Sequence, residues 1–167
     1  QNNVYINGEI RAKGRYPNEP FSLLSQNPSM VQMTSQQALP HIYNDGAEVG
    51  LRNNNWIWDV SRIYAQSGTA INSTLNIYPA KTYTPSSEHF FIQNSRKVLD
   101  LAYEWAYDST TQLFAAYSID TPIVKVSIFD TLVNCHNVNS LTFDGICFEG
   151  GNMITFSADT NRYFSVK

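Results

Sequence analysis

The sequence Thr-Ala-Ile-Asn-Ser-Thr-Leu-Asn-Ile-Tyr, residues 69–78, sets the expected fold class because apolar and polar side chains alternate along it. Successive side chains of a strand point to opposite faces, so this period of two predicts a half-buried strand. One predicted face carries Ile71, Leu75 and Ile77, and the other carries Asn72, Thr74 and Asn76. Nothing elsewhere in the chain supports a long helix.

Turn-forming residues divide the remaining sequence into short segments. They are Asn7-Gly8, Tyr16-Pro17, Asn44-Asp45-Gly46, Ser67-Gly68, Asp144-Gly145 and Gly150-Gly151-Asn152. Many short strands separated by regular turns are typical of a sandwich or a barrel. We therefore expect an all-β fold, with residues 1–167 forming a single antiparallel domain of the β-sandwich or jelly-roll type.

Two expectations concern the C-terminal part of the chain. Residues 123–129 predict a strand whose interior face carries Val124, Val126 and Ile128. Residues 153–156 and 163–166 predict two closing strands around a turn at residues 159–161.

The segment at residues 98–107 fits two periods. Strand spacing places Leu99, Leu101, Tyr103, Trp105 and Tyr107 on one face, whereas helical spacing collects Val98, Leu101, Ala102 and Trp105. The strand face is larger, so we predict a β-hairpin with residues 112–117 and an aromatic face.

The N-terminal segment has a pattern of its own. Residues 4–13, Val-Tyr-Ile-Asn-Gly-Glu-Ile-Arg-Ala-Lys, read as a hairpin with an Asn-Gly turn. They resemble the short repeats that precede the heads of trimeric phage tail fibres, and also the N-terminal strand of some pilin subunits. The resemblance covers about ten residues and implies a shaft or inter-subunit role for residues 1–13, with homotrimer or fibre assembly.

The composition limits the partners. Charged residues are 15% of the chain and the formal net charge is −3, so the concentrated positive face that nucleic acid or an anionic membrane requires is not expected. No apolar run reaches the ~20 residues that span a bilayer. Amides and hydroxyls supply the polar surface instead, which favours an extracellular location: secreted, on a cell surface or on a virion.

The two cysteines, Cys135 and Cys147, leave two alternatives open. A disulfide between them would close a short loop and stabilise the fold by roughly 3 kcal/mol. Otherwise both are small, buried hydrophobes. Neither their spacing nor that of the three histidines predicts a metal site, and no motif predicts a cofactor.

The leading candidate site is the run at residues 52–59. Two tryptophans two residues apart share one face of a strand, next to neutral amides that donate and accept hydrogen bonds. This combination suits a neutral, hydroxyl-rich ligand such as a sugar, because an aromatic ring stacks on the apolar face of a sugar. The predicted ligand-binding residues here are Asn53, Asn54, Asn55, Trp56, Trp58 and Asp59. The alternative is that both rings face the core.

A second candidate is Tyr83, within the proline-containing segment at residues 78–89. The two prolines and the lack of apolar periodicity predict an exposed loop, and loops often carry binding residues. The alternative is a solvated connection without a ligand.

Catalytic carboxylates are not expected. Asp100 and Glu104 would lie roughly 13 Å apart on one predicted strand, too far for these two alone to be the pair of a glycoside hydrolase. One of them could pair with Asp59 or Asp130 from another strand, but nothing in the sequence requires it. We therefore expect a non-catalytic receptor-binding or carbohydrate-binding domain, lectin-like, of an adhesin or of a viral or phage fibre. Its partner would be a glycan or a glycosylated cell-surface receptor. The second choice is a structural subunit of an extracellular fibre, pilus or capsid, and the third is a glycoside hydrolase.

Overall fold

The structure is a computed structural model that describes residues 3–24, 28–29, 31–52, 58–74, 89–163 and 165–167, with residues 154 and 155 described by their backbone alone. In this part of the chain the regular elements are strands, apart from one 3-10 turn at Arg96–Val98. The predicted all-β fold class is confirmed. The strands in chain order are β1 (Val4–Ile6), β2 (Glu9–Arg11), β3 (Arg15–Tyr16), β4 (Ser22–Leu23), β5 (Gln32–Thr34), β6 (Glu48–Arg52), β7 (Trp58–Ser67), β8 (Ala70–Ser73), β9 (His89–Gln93), β10 (Trp105–Asp108), β11 (Leu113–Ala116), β12 (Val124–Val126), β13 (Thr131–His136), β14 (Thr142–Phe143), β15 (Ile154–Asp159) and β16 (Ser165–Val166).

The chain forms two compact units. The first unit joins Gln1–Arg11 to Thr121–Lys167, and the second unit is Ala12–Asp120. The prediction of one domain for residues 1–167 stays a prediction, since two compact units can unfold together or separately.

The second unit is built on an antiparallel sheet in the strand order β3-β9-β6-β7-β8-β5, with β4 also paired to β9. Alternation along these strands sends one set of side chains into a shared core. Ile71 is fully buried there, as its position in the alternating segment predicts, while its neighbour Asn72 is half-buried. The core consists of Leu24, Met33, Tyr43, Ala47, Val49, Leu51, Ile63, Ile71, Phe90, Ile92 and Val98. The side chains on the opposite face of the sheet, such as Val60 and Phe91, do not belong to this core.

The predicted aromatic hairpin is present in this unit, but it is shorter than expected. β10 and β11 pair antiparallel, with Tyr107 opposite Phe114, and the Trp105 and Phe114 rings stack with centroids 6.0 Å apart. The strand begins only at Trp105, so the expectation of a strand from residue 98 was wrong. The preceding residues turn because Oε2 of Glu104 accepts hydrogen bonds from the backbone N–H groups of Asp100 and Leu101, each at 3.1 Å.

The N-terminal hairpin of the first unit is confirmed. β1 and β2 pair antiparallel around Asn7 and Gly8, whose φ angles of 54° and 85° are both positive. Two positive φ angles give a type I′ turn, whose twist matches that of the flanking strands.

β12 pairs with the other edge of β1, but it does not bury the face that its sequence predicts. Val124, Val126 and Ile128 are 38%, 45% and 74% exposed, so the prediction of an interior face was wrong. β12 is only three residues long, and alternation within one strand cannot show whether another layer covers it.

The C-terminal part of the first unit is a parallel structure. Thr131 pairs with Ile154 and Thr142 pairs with Ser165, in each case with the residue 23 positions later. Two turns of chain stacked in this way, strand on parallel strand, have the arrangement of a β-solenoid. Strands are present at both predicted positions, residues 153–156 and 163–166, but they do not close on each other around residues 159–161, because β15 pairs with β13 and β16 pairs with β14.

The corners of the two turns repeat as well. Asn137 and Ser140 have φ angles of 58° and 57°, and the residues 23 positions later, Thr160 and Tyr163, have φ angles of 54° and 51°. The side chain of Asn161 joins the turns, because its Oδ1 accepts from the Val138 N–H at 2.7 Å and its Nδ2 donates to the Cys135 carbonyl at 3.0 Å.

Candidate functional site

Three aromatic rings form a cluster on the second unit, which we call the aromatic platform: Phe21, Trp58 and Phe91. The Trp58 centroid lies 4.9 Å from that of Phe21 and 5.1 Å from that of Phe91, and the two phenylalanines are 6.0 Å apart. The rings are tilted by 38–50°, so each contacts the other two. Trp58 is 37% exposed and both phenylalanines are half-buried. The platform is therefore an apolar surface that a ligand can reach.

Strand register explains why the platform faces away from the core. Phe90 and Ile92 are buried, so Phe91 between them points to the other face of the sheet. Phe91 lies opposite Gly50 of β6, and Gly50 lies opposite Val60 of β7. Val60 is 45% exposed and shares its face with Trp58, two residues earlier. The platform and Val60 thus cover adjacent strands of one sheet face.

Gly50 allows the Phe91 ring to lie flat on the sheet. A Cβ at Gly50 would stand 2.3 Å from Cζ and 2.6 Å from Cε1 of Phe91, well inside any tolerated contact. A glycine within a strand costs conformational entropy and often marks a close approach. Here it holds the ring in position beside Trp58.

Polar groups border the platform on one side. The Arg15 guanidinium lies 5.2 Å from the Phe21 ring centroid, a cation–π distance. Its Nη2 donates to Oε1 of Glu19 at 2.6 Å and to the Asn18 carbonyl at 2.7 Å. The Glu19 carboxylate is 70% exposed and keeps acceptor capacity. The platform thus has donors and acceptors at its rim.

The predicted site residues divide into two groups. Trp58 lies in the platform and is partly exposed, whereas the half-buried Asp59 follows it on β7 with its side chain on the other face of the strand. The remaining predicted ligand-binding residues lie outside the described residues: Asn53, Asn54, Asn55, Trp56 and Tyr83.

Phe21 and Phe91 were missed by the sequence analysis. Phe91 stands in the run His-Phe-Phe-Ile-Gln, residues 89–93, where alternation places one phenylalanine on each face. Only the register opposite Gly50 brings the outward ring to Trp58. Phe21 follows Pro20 and carries no pattern that predicts its position.

Comparison with known proteins gives one informative likeness. No family model and no curated protein matches the chain. A solved structure described as "Glycoside hydrolase" is similar, with a TM-score of 0.66 and 16% sequence identity. The likeness shows the fold. It covers 90% of this chain and 31% of that one, so the chain spans about a third of the length of the protein it is similar to.

The carboxylates of the turn before β10 do not have the separation expected from the sequence. The strand estimate of roughly 13 Å between Asp100 and Glu104 was wrong, because these residues form a turn in which Glu104 binds the Asp100 backbone. Glu104 is 9% exposed. Burial raises its pKa, although hydrogen bonds from the Leu101 and Asp100 backbones lower it, and the nearby Asp100 carboxyl raises it further.

Both cysteines are free thiols in the structure. Cys135 on β13 is 7% exposed, whereas Cys147 is exposed, so the disulfide alternative is not realised here. Among the described residues, no group of three or more His, Cys, Asp and Glu is arranged to hold a metal ion. The described part of the chain also contains no helix long and apolar enough to span a membrane.

Proposed function

We propose that this chain is a non-catalytic carbohydrate-binding domain that acts outside the cell, and that its second unit binds glycans on the aromatic platform. The observation that carries the proposal is the cluster of three rings on the outward sheet face, partly open to solvent and bordered by Arg15 and Glu19. Rings stack on the apolar faces of sugars, while charged and amide groups at the rim bind hydroxyls. The partner is a glycan or a glycosylated cell-surface receptor.

The fold likeness supports this proposal in a general way, since the similar structure is described as a glycoside hydrolase. The likeness covers 31% of that structure. Binding without catalysis is proposed because Glu104, the carboxyl with a raised pKa in the described part of the chain, is buried and uses its Oε2 to hold its own turn.

The test is a glycan-array screen of the full chain together with Trp58→Ala. Tyr64→Ala is the matched control, because Tyr64 is an aromatic residue of the same strand, 60% exposed and roughly 20 Å from Trp58 by the strand rise. We expect Trp58→Ala to weaken binding at least about tenfold, as for a ring at the centre of a binding surface. Tyr64→Ala should bind like the wild type.

Two further variants, Trp56→Ala and Tyr83→Ala, test the other predicted aromatic residues in the same screen. Circular dichroism shows whether each variant is folded. If no glycan binds the wild type, or if folded Trp58→Ala binds as well as Tyr64→Ala, the platform is not a glycan site.

Glycoside hydrolysis is the second candidate, and the description of the similar structure favours it. A reducing-sugar assay on the glycans that bind would reveal it. Turnover by the wild type that is lost in Glu104→Gln would replace the binding proposal with an enzymatic one.

A further inference from the structure

The last turn of the β-solenoid in the first unit, residues 154–167, lies at one end of the stack. β15 pairs with β13 and β16 pairs with β14, and both sheets are two-stranded in the part of the chain that the structure describes. A strand with a single neighbour leaves the backbone groups of its other edge available to a further strand. We call the surface that β15 and β16 form at this end of the stack the open end.

The inner side chains at the open end are more exposed than those of the turn beneath. Cys135 of β13 is 7% exposed, whereas Ala158, its partner on β15, is exposed. Phe143 of β14 is half-buried, whereas Val166, its partner on β16, is 52% exposed. Phe143 and Phe156 point to the inside of the solenoid, since their ring centroids are 5.4 Å apart, and Ala158 shares the strand face of Phe156. The apolar interior of the solenoid is thus open to solvent at this end.

The last turn does not have the composition of a cap. A solenoid end that faces water normally carries a capping turn with a polar outer face. Here β15 and β16 together contain one charged residue, Asp159. Met153, directly before β15, and Tyr163, at the corner between the two strands, are 79% and 85% exposed. The open end therefore resembles a turn inside a stack, which needs a neighbour to cover it.

The first unit as a whole buries little apolar surface. Among its described residues, the buried hydrophobic side chains are Val4, Ile6 and Cys135. A larger set of its hydrophobic side chains is exposed: Ile10, Ile123, Val124, Val126, Ile128, Phe129, Ile146, Met153, Tyr163 and Val166. Small units with so small a core are commonly stabilised by oligomerisation.

The occupant that fits the open end is the open end of a second copy. A two-fold axis lays β15 of one copy antiparallel beside β15 of the other, which continues the sheet across the interface. Opposite residues of paired strands share a face, so the two apolar interiors join, and their outlines match because both are the same turn. In the registers that join inner residue to inner residue, the two Asp159 carboxylates lie roughly 13–20 Å apart, a distance at which salt screens their repulsion.

We propose that this chain forms a two-fold dimer through the open end, in which β15 pairs with β15 of a second copy and Ala158 and Val166 become covered. The surface lies within the first unit and does not depend on the proposed function of the aromatic platform. It is about one strand long and one sheet spacing wide, roughly 20 Å by 10 Å. This is smaller than the ~800 Å² that each partner buries in a stable complex. The dimer is therefore weak, with a Kd of about 10–100 µM.

The test is sedimentation velocity of the full chain at concentrations from about 5 to 500 µM, which span this Kd. We expect the mass to rise from 18.9 kDa toward twice that value. Trp58→Ala should behave in the same way, which separates this surface from the aromatic platform. A chain that stays monomeric over the whole range, or that forms the trimer implied by the N-terminal resemblance, would overturn the proposal.

Ala158→Lys tests the open end itself, at an exposed position where folding is not at risk. It should weaken dimerisation at least about tenfold, because two ammonium groups would lose water and approach each other in the interface. Ala65→Lys is the matched control, since Ala65 is an exposed alanine within β7 of the second unit, and it should dimerise like the wild type. Equal dimerisation of the two variants would overturn the proposal.

Hydrogen exchange followed by mass spectrometry locates the interface in the unsubstituted chain. Raising the protein concentration through the Kd should slow exchange in peptides that contain β15, because its amides become covered. Peptides that contain β6, inside the sheet of the second unit, should exchange equally at both concentrations. Slowing that is confined to other peptides, such as those from residues 119–129, would place the dimer contact elsewhere and contradict the proposal.

Discussion

Replacing Gly50 by alanine tests whether the aromatic platform is held by the close approach of Phe91 to the sheet. The added Cβ would stand 2.3 Å from Cζ of Phe91, so the ring must retreat by roughly 1 Å to reach an ordinary carbon–carbon contact. That movement disturbs its contacts with Trp58 and Phe21, whose ring centroids lie 5.1 Å and 6.0 Å from that of Phe91. Overpacking of this kind costs about 1–3 kcal/mol, which corresponds for a chain of this length to a Tm lower by about 2–12 °C.

A double-mutant cycle shows whether the ring causes the loss. Thermal and urea unfolding would be measured for Gly50→Ala, Phe91→Ala and the combined variant. Without the ring, the alanine methyl group has room, so Gly50→Ala should cost less than about 0.5 kcal/mol in the Phe91→Ala background, and the coupling energy should be about 1–3 kcal/mol. An equal cost in both backgrounds would refute the reasoning, since the clash would then be with another group. Near-UV circular dichroism should also change in Gly50→Ala if the environment of Trp58 is altered.

Three further predictions concern other parts of the chain. Burial raises the pKa of Glu104, so the contribution of this group to stability is full below its unfolded pKa of about 4.3 and is lost as pH rises through the higher folded pKa. Urea unfolding between acidic and neutral pH should therefore show the stability of the wild type falling relative to that of Glu104→Gln. A stability difference that is constant with pH would contradict this. Asn161→Ala removes two hydrogen bonds between the solenoid turns and should lower the free energy of unfolding by about 1–3 kcal/mol. Hydrogen exchange at the Val138 amide should become faster. Unchanged exchange there would show that another group holds the turns together. In the native protein a thiol reagent should modify the exposed Cys147 and reach the buried Cys135 only in denaturant; absence of any reactive thiol in denaturant would instead indicate a disulfide.

Local patterns predicted the features that depend on neighbouring residues. The alternation at residues 69–78 placed Ile71 in the core, where it is fully buried. The Asn7-Gly8 pair predicted a hairpin because both residues tolerate the positive φ angles of a type I′ turn, and both have them. In each case the physical cause lies within a few positions of the residue it acts on.

The parallel solenoid could not be predicted in the same way. Between residues 131–144 and 154–167, aligned at the separation of 23 that the strand pairs show, no position carries the same residue twice. The left-handed corners give no repeating signal either, because Asn137 favours positive φ but its counterpart 23 positions later, Thr160, does not. The pairing is decided by packing between turns, such as that of Phe143 against Phe156, whose ring centroids are 5.4 Å apart. A period-two pattern does not show which strand will be the partner.

The candidate site falls between these two cases. Trp58 could be identified from its own segment, where tryptophan stands beside neutral amides. Phe91 joins it only through the register of β9 against β6, and Phe21 only through the pairing of the adjacent β4 with β9. One local signal did exist: Gly50 interrupts the apolar run Val-Gly-Leu of β6, and a glycine inside a buried strand implies that another group approaches its backbone closely. The sequence could not identify that group as Phe91, since the approach is set by strands that meet only in the folded sheet. A platform made of residues from three separate segments therefore requires the sheet to form first, and any change that shifts the β6–β9 register should abolish the proposed glycan binding even when all three rings are present.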